Sequence, residues 1–230
     1  MPYLYYDSYY LVLVLPAILI AMAAQIMVKT TFRRYASVFS RRGQTAAQVA
    51  RQILDDNGLQ AVRLERVSGD LTDHYDPKAN VIRLSDSVYN SASVASIGVA
   101  AHEAGHAVQH AVGYVPIKLR NAVLPVANIG SAAAMPIIVI GLLLSFEPLV
   151  SIGILLFSAL VLFQLITLPV EFNASRRALA TLRDSRILDG KELSGARRVL
   201  SAAAMTYVAA VLVSAMQLLR LVLLTNRRRD

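Results

Sequence analysis

Four long apolar stretches without a charged side chain divide the sequence. They cover residues 10–28, 121–146, 149–170 and 199–219. A helix needs about 20 predominantly apolar residues to cross the hydrocarbon core of a bilayer. The pattern therefore predicts about four transmembrane helices. The first stretch is not typical of a cleaved signal peptide, because it is long and no basic segment precedes it.

A different pattern occupies the polar segment between the first two stretches. Residues 45–56 have helical periodicity, with Thr45 as N-cap, and Asn57–Gly58 ends the helix. Residues 61–67 alternate as a strand does, and residues 71–85 indicate a hairpin with its turn at "DPKAN". A long helix is expected from about Asp86 to Val112, ended by Gly113. This segment is therefore α+β.

These patterns divide the chain into five segments. We expect an N-terminal transmembrane helix, an α+β segment, a transmembrane hairpin, a second polar segment and a C-terminal transmembrane helix with a basic tail. Their bounds are 1–28, 29–120, 121–170, 171–198 and 199–230.

The distribution of basic residues predicts the orientation. Nineteen of the 23 Lys and Arg residues lie in 29–120 and 171–198, which four spans place on one side of the membrane. Short loops rich in Lys and Arg stay in the cytoplasm. We therefore expect a multi-pass protein of a bacterial-type cell membrane, with both polar segments in the cytoplasm. The terminal "NRRRD", which this topology places outside, is the exception: either the other basic residues outweigh it, or the last stretch does not fully cross the membrane.

Composition supports a membrane protein and narrows its chemistry. Apolar residues make up 56 % of the chain, and mean hydropathy is +0.51. The chain has no cysteine, so neither disulfides nor thiolate metal sites are available, and any zinc must bind to His, Asp or Glu. The net charge is +8, and the basic residues lie around the apolar stretches and do not form one patch. This distribution favours a lipid bilayer rather than a nucleic acid as partner.

The strongest chemical motif is His102-Glu103-Ala104-Gly105-His106. Residues i and i+4 of a helix share one face, so both imidazoles can bind one zinc ion. Glu103 is then placed to exchange protons with a water molecule that the metal activates. The alternative is a buried helix with hydrogen-bonded histidines. That alternative leaves Glu103 as an unpaired carboxylate in a nearly uncharged helix, which is costly.

Candidates for a third ligand come from outside the motif. His110 is two turns from His102, about 12 Å along the helix, which is too far for one ion. His74, in the predicted hairpin, remains a candidate ligand or substrate contact. Glu171 directly follows the third apolar stretch, and the transmembrane hairpin returns it to the side of His102 and His106. Its alternative role is a boundary glutamate paired with Arg176.

Five stretches together resemble a known family. They are "DHYDP", "IRLS", "AAHEAGHAVQ", "EFNASRRA" and "AAAMTYVAA", and they occur over most of the chain. In this order they resemble the YugP-type integral-membrane neutral zinc metallopeptidases. That family is similar in layout to the HtpX-like and prenyl-protein membrane endopeptidases, which carry HExxH followed by E-x-x-x-D.

The resemblance implies a fold and a set of roles. The fold would be a mainly α membrane protein with about four transmembrane helices and a small α+β, zincin-like cytoplasmic segment carrying the HExxH helix. His102, His106 and Glu171 would hold one zinc ion per chain, and Glu103 would be the general base. Ser175 stands where the relatives place an aspartate that orients a ligand histidine. Asn173, Ser175 and Arg176 are candidates to replace it.

The predicted function is zinc-dependent hydrolysis of peptide bonds at the cytoplasmic membrane surface. Substrates would be peptides or membrane proteins, with the "NVIRLS" strand offering an edge to an extended peptide. His74, Tyr75 and Arg176 are candidates to stabilise the oxyanion. A membrane-anchored metal-binding regulatory protein without proteolytic activity is the alternative. A transporter is disfavoured, because the histidines precede the second span and the spans contain almost no ionisable residues.

Overall fold

The computed structural model describes residues 8–226, and most of them are helical. A short π-helix, Tyr10–Val14, leads into α1, Leu15–Ala36. The remaining helices are α2 (Ala46–Asp56), α3 (Asp86–Tyr89), α4 (Val94–Ala111), α5 (Val115–Leu143), α6 (Glu147–Asp184) and α7 (Gly190–Asn226). The strands are β1 (Arg63–Val67), β2 (His74–Asp76) and β3 (Val81–Ser85).

Four helical segments are long and apolar enough to cross a membrane, as the sequence predicts. They span Tyr10–Ala36, Val115–Leu143, Glu147–Asp184 and Gly190–Thr225, with mean hydropathies between 2.0 and 2.6 over their most apolar windows. Each helix is longer than its apolar stretch and extends into charged sequence. The predicted fold class, a mainly helical membrane protein with a small sheet, is therefore confirmed. Residues 227–230, with the three arginines of the predicted basic tail, lie outside the described part of the chain.

The described chain forms two compact units, which cut across the five predicted segments. One unit comprises the described parts of Met1–Gln25, Leu119–Leu168 and Thr206–Asp230. Within it, α5 and α6 approach closely, because a Cβ on Gly130 would lie 2.5 Å from the Leu156 carbonyl oxygen. Small residues at such crossings let helix backbones pack tightly. Whether the five segments are domains remains a prediction.

The other unit comprises Ile26–Lys118 and Pro169–Met205 and contains the sheet. Its helix α2 has the predicted N-cap: Thr45 accepts from the Gln48 amide while the Gln48 side chain accepts from the Thr45 amide. The core joins α2, β3 and α4 to the parts of α6 and α7 in this unit. Its fully buried side chains include Val49, Leu54, Ile82, Leu84, Ile97, Leu182 and Leu188.

The predicted long helix from Asp86 to Val112 is wrong, because it breaks at residues 90–93. Ser93 is extended, and its hydroxyl accepts from the Ser96 amide and so caps α4. Residues on both sides of the cap pair with the chain after α1: the Ser40 amide donates to the Ala92 carbonyl, and the Val94 amide donates to the Val38 carbonyl. The predicted end at Gly113 is present, with φ at 64°.

The sheet has the order β1-β3-β2, with β1 parallel and β2 antiparallel to β3. The predicted strand and hairpin are confirmed. The expectation that β3 offers an edge to a peptide is wrong, because β3 is the central strand. The outer edges belong to β1 and β2.

Candidate metal centre

Helix α4 places both motif histidines on one face. The cap at Ser93 fixes the start of the helix, and alanines on its buried faces allow neighbouring helices to pack closely. The His102 and His106 rings are 4.7 Å apart, nearly perpendicular, and their Nε2 atoms are 3.1 Å apart. The two Nε2 lone pairs therefore converge on one point.

Helix α6 supplies an acidic group to the same point. Glu171 is 3 % exposed, and its Oε2 lies 3.3 Å from His102 Nε2 and 3.6 Å from His106 Nε2. The contact depends on Gly105, because a Cβ there would lie 2.9 Å from the Ala174 carbonyl oxygen. A glycine in α4 thus lets α6 approach closely enough to bring Glu171 to the histidines.

Gln109 orients His106. The Gln109 Oε1 accepts from His106 Nδ1 at 3.0 Å, and its Nε2 donates to the Val170 carbonyl at 2.8 Å and to Asn173 Oδ1 at 3.0 Å. Two acceptors for Nε2 fix the orientation of the amide, so Oε1 must face the histidine. A proton on Nδ1 then leaves Nε2 of the neutral ring free to bind a metal.

Ser175 contacts the other histidine. Its hydroxyl lies 3.1 Å from His102 Nδ1, one turn of α6 beyond Glu171. This is the position at which the resemblance expected an aspartate. Asn173, one of the predicted orienting residues, instead accepts from Gln109 and from Arg177 Nε, at 2.8 Å for the latter. It therefore supports His106 through Gln109, whereas Ser175 contacts His102.

The donor set fits zinc. One ligand atom from each of His102, His106 and Glu171 lies within 4.8 Å of the others. Donors about 2.0–2.1 Å from a tetrahedral zinc ion are roughly 3.3 Å from one another. The Nε2–Nε2 and Nε2–Oε2 distances of 3.1, 3.3 and 3.6 Å agree with that spacing. Two imidazoles and one carboxylate leave a fourth position for water or substrate, as in catalytic zinc sites.

Buried acidic groups set the electrostatics of the site. Glu103, next to His102, is 8 % exposed. Burial lowers the pKa of His106, but the carboxylates of Glu171 and Glu103 raise it more, and the net effect is a raised pKa. In the metal-free protein these carboxylates thus attract positive charge to the site, and a bound cation would take that role.

Asp73 is an acidic neighbour that sequence reasoning missed. Burial raises its pKa above 3.8, hydrogen bonds from Ser85 counteract this, and the nearby Glu103 charge raises it further. The Ser85 amide donates to Asp73 Oδ1 at 2.7 Å, so the carboxylate also anchors the end of β3. Asp73 directly precedes the candidate residue His74 in "DHYDP", and this position could have indicated that it lies near the site.

Several other predicted site residues lie outside the three-residue group. His74 is exposed, and its Nδ1 lies 2.8 Å from the Thr72 carbonyl oxygen. The Tyr75 ring packs edge-on against His110, with centroids 6.1 Å apart, and its hydroxyl is 3.5 Å from Asn80 Oδ1. Arg176 is exposed on α6. Their roles in contacting substrate or stabilising an oxyanion remain predictions.

Gln109 and Gly105 are the other residues that sequence reasoning missed. Gln109 is fully buried and lies three residues after His106, so it shares a helix face with that histidine. A glutamine one helical turn after a motif histidine predicts a contact with that histidine, so the sequence could have indicated this role. Gly105 gave no signal of its own, because its role depends on the approach of α6.

Comparison with known proteins supports the chemistry of this site. A family model described as "putative neutral zinc metallopeptidase" matches residues 10–226. The chain is 47 % identical over 221 residues to the "putative membrane protease YugP" of Bacillus subtilis (strain 168), covering 96 % of this chain and 98 % of that protein. No solved structure matches the chain. The chain therefore belongs to the family described as putative neutral zinc metallopeptidases.

Proposed function

We propose that this protein is a membrane-embedded zinc endopeptidase that hydrolyses peptide bonds at the cytoplasmic membrane surface. The observation that carries the proposal is the convergence of His102 Nε2, His106 Nε2 and Glu171 Oε2, with a separate partner for each Nδ1. Such a set binds one zinc ion and leaves one position open.

Each residue has a defined role in the proposal. His102, His106 and Glu171 would hold the metal, and Gln109 and Ser175 would orient the two rings. When bound, zinc would act as a Lewis acid toward the scissile carbonyl and lower the pKa of water. Glu103 would accept a proton from the attacking water and deliver it to the leaving amine.

An extended peptide would bind along the outer edge of β2. This strand forms one outer edge of the described sheet and packs on α4 through the contact of Tyr75 with His110. Backbone hydrogen bonds to such an edge give affinity without requiring a particular sequence. The substrate class is therefore an extended segment of a peptide or of a membrane protein.

Metal content and proteolysis together test the proposal. Detergent-purified wild type should contain about one zinc per chain and cleave casein in a chelator-sensitive way. Glu171→Ala should lose most of the zinc, whereas Glu103→Gln should keep zinc and lose cleavage. Glu65→Ala, which alters a partly exposed glutamate on β1, is the matched control and should change neither property.

The possible results separate the parts of the proposal. Full zinc in Glu171→Ala would remove Glu171 from the ligand set. Cleavage at a near wild-type rate by Glu103→Gln would remove Glu103 as the base. One zinc per chain without cleavage of any casein or membrane-protein substrate would favour a metal-binding regulatory protein. No metal after zinc is supplied would contradict the proposal as a whole.

A further inference from the structure

A pocket lies between α1 and α7, within the unit that contains the sheet. Its volume is about 470 Å³. Three arginines, two methionines, one tyrosine and three small side chains line it: Arg34, Arg197, Arg198, Met27, Met205, Tyr35, Thr31, Ser201 and Ala202. No carboxylate is among the described residues that form its wall. The pocket therefore combines concentrated positive charge with an apolar surface.

Tyr35 organises the basic end of this pocket. A Cβ on Gly195 would lie 2.7 Å from a Tyr35 ring carbon, so glycine lets the ring pack directly on α7. The Arg198 Nη1 donates to the Tyr35 hydroxyl at 3.3 Å, and the Arg34 guanidinium carbon lies 5.8 Å from the centre of the ring. One fixed aromatic ring thus holds arginines from two helices at the same place.

The apolar end of the pocket lies opposite its basic end. As the first and fourth of the four candidate spans, α1 and α7 would cross the membrane in opposite directions, and Tyr35 of α1 contacts Gly195 and Arg198 of α7. Met27 precedes Tyr35 on α1, and Met205 follows Arg198 on α7. In helices of opposite direction, both methionines therefore lie at the same end of the pocket. Eight residues correspond to about 12 Å of helix. The methionines are 41 % and 44 % exposed, so they present apolar surface at this end.

The change from uncharged to charged sequence falls inside the pocket on both helices. On α1 the uncharged stretch ends at Val28 and Lys29 follows, whereas on α7 Arg198 is the last charged residue before the uncharged stretch that begins at Val199. In a membrane protein this boundary corresponds to the lipid headgroup region. Basic pockets between helices at this level bind anionic lipid headgroups.

We propose that this pocket binds one anionic phospholipid. Arg34 and Arg197 would bind its phosphodiester, with hydroxyl donors available from Thr31 and Ser201. Arginine suits this role, because its planar guanidinium donates two parallel hydrogen bonds to phosphate oxygens. The glycerol backbone and first acyl carbons would contact Met27 and Met205. A free anion would use only the basic half of the pocket, which is why a lipid fits better.

Native mass spectrometry of the full chain in neutral detergent tests this site. Dioleoyl phosphatidylglycerol should bind to wild type more tightly than dioleoyl phosphatidylcholine, with one copy per chain retained at low lipid concentration. Arg34→Gln/Arg197→Gln should weaken phosphatidylglycerol binding about tenfold to thirtyfold. This pair leaves the bond from Arg198 to Tyr35 in place, so packing of α1 on α7 is preserved.

The matched control is Arg41→Gln/Arg42→Gln, which removes the same charge from exposed arginines outside the pocket. It should retain binding. Glycerophosphoglycerol, which has the same headgroup without acyl chains, and inorganic phosphate should bind far more weakly than the lipid. The melting temperature of each variant in detergent checks the fold. If the double variant fails to fold, Arg197→Gln alone replaces it, with Arg42→Gln as its control.

Four results would each overturn the proposal. They are equal binding of the two lipids to wild type, equal loss in the pocket and control variants, binding of inorganic phosphate or the soluble headgroup as tight as that of the lipid, and displacement of the lipid by a short acidic peptide. The last two would identify a free-anion site and a peptide-docking surface. Because the readout is lipid binding, failure of the proposed peptidase activity would not affect it.

Discussion

Each histidine of the metal centre uses its two ring nitrogens for different tasks. Nε2 faces Glu171, and Nδ1 is held by Gln109 in one ring and by Ser175 in the other. The partner of Nδ1 sets the tautomer and the direction of the ring, and so determines whether Nε2 can bind a metal. The ligands are therefore only half of this site, and their partners can be tested separately.

Gln109→Met should weaken zinc binding about tenfold to a hundredfold, because it removes the acceptor for His106 Nδ1 at nearly constant volume. Loss of the donor to the buried Val170 carbonyl should also destabilise the fold by about 1–3 kcal/mol. Zinc affinity by competition with a chelator measures the first effect, and melting of the zinc-free protein measures the second. Gln60→Met, in an exposed loop, is the control. Unchanged zinc affinity would contradict the orienting role.

A second prediction concerns Ser175, where one substitution should weaken zinc binding and another should not. Ser175→Ala removes the partner of His102 and should weaken zinc binding about tenfold. Ser175→Asp should bind zinc at least as tightly as wild type, because a carboxylate accepts a stronger, charge-assisted hydrogen bond from Nδ1. Both affinities can be measured by the same chelator competition. Zinc binding by Ser175→Ala as tight as that of wild type would show that the hydroxyl has no orienting role.

At the residue scale, local spacing accounts for what could be predicted. His102 and His106 follow from the i, i+4 geometry of one helix, and Glu171 was placed near them because the transmembrane hairpin returns it to the same side. Gln109 and Gly105 act through contacts with α6. Their roles depend on a crossing of two helices 60 to 70 residues apart, which no local pattern specifies.

At the element scale, the crossing of α4 and α6 brings the residues of the metal centre together. Gly105→Ala would place a methyl group 2.9 Å from a backbone oxygen of α6, so the helices must separate. We expect a loss of about 1–3 kcal/mol in stability and a marked loss of zinc, because Glu171 and Ser175 move with α6. Melting in detergent and zinc content measure the two effects.

Gly98 provides a matched control on the same helix. A Cβ there would meet the Ala196 Cβ at 3.5 Å, an ordinary contact. Gly98→Ala should therefore be tolerated, and its higher helix propensity should add roughly 0.5–1 kcal/mol. If both alanine variants retained zinc and stability, close approach at Gly105 would not be what positions Glu171.

The β2–β3 hairpin gives a prediction that depends on pH. Hydrogen bonds from the Ala79 amide and from Arg83 hold the pKa of Asp76 below its usual value of 3.8. A carboxyl with a lowered pKa in the folded state stabilises the fold above pH 3.8, and this contribution is lost as pH falls through the lowered pKa. Asp76→Asn should therefore lower the melting temperature more at pH 6 than at pH 3.

The comparison uses EDTA-treated protein, so that release of zinc by acid does not contribute. Asp70→Asn, in the exposed loop before β2, is the control and should behave as wild type at both pH values. A difference between wild type and Asp76→Asn that stays constant from pH 6 to pH 3 would show that ionisation of Asp76 does not stabilise the hairpin.

At the element scale, local periodicity predicted α2, β1 and the hairpin, since each depends on its own residues. It missed the break before α4, although Asn90 and Ser93 are residue types that favour helix ends. There the chain pairs with residues 38–40, a contact some 50 residues away. The central position of β3 has a similar origin, because its parallel partner β1 precedes the hairpin in the chain. Long-range pairing, which no local pattern specifies, fixes the chain at both places.

At the scale of the whole molecule, charge and hydropathy lead to a predicted orientation. The protein has four helical segments that can cross a membrane, and the basic residues cluster in the polar parts between them. Positive charge in short loops favours the cytoplasmic side. The metal centre, built from α4 and the polar end of α6, would then act on cytoplasmic segments of its substrates.

Absence of cysteine makes this orientation directly testable, because each introduced cysteine will be the only thiol. In intact cells, a membrane-impermeant maleimide should label Ser145→Cys, in the turn between α5 and α6. Asp70→Cys, in the exposed loop between β1 and β2, should be labelled only after permeabilisation. Asp230→Cys should behave like Ser145→Cys if the last helix crosses the membrane despite the basic tail, and wild type is the unlabelled control. Labelling of Asp70→Cys in intact cells would place the metal centre outside. Labelling of Asp230→Cys only after permeabilisation would mean that the last helix does not cross the membrane.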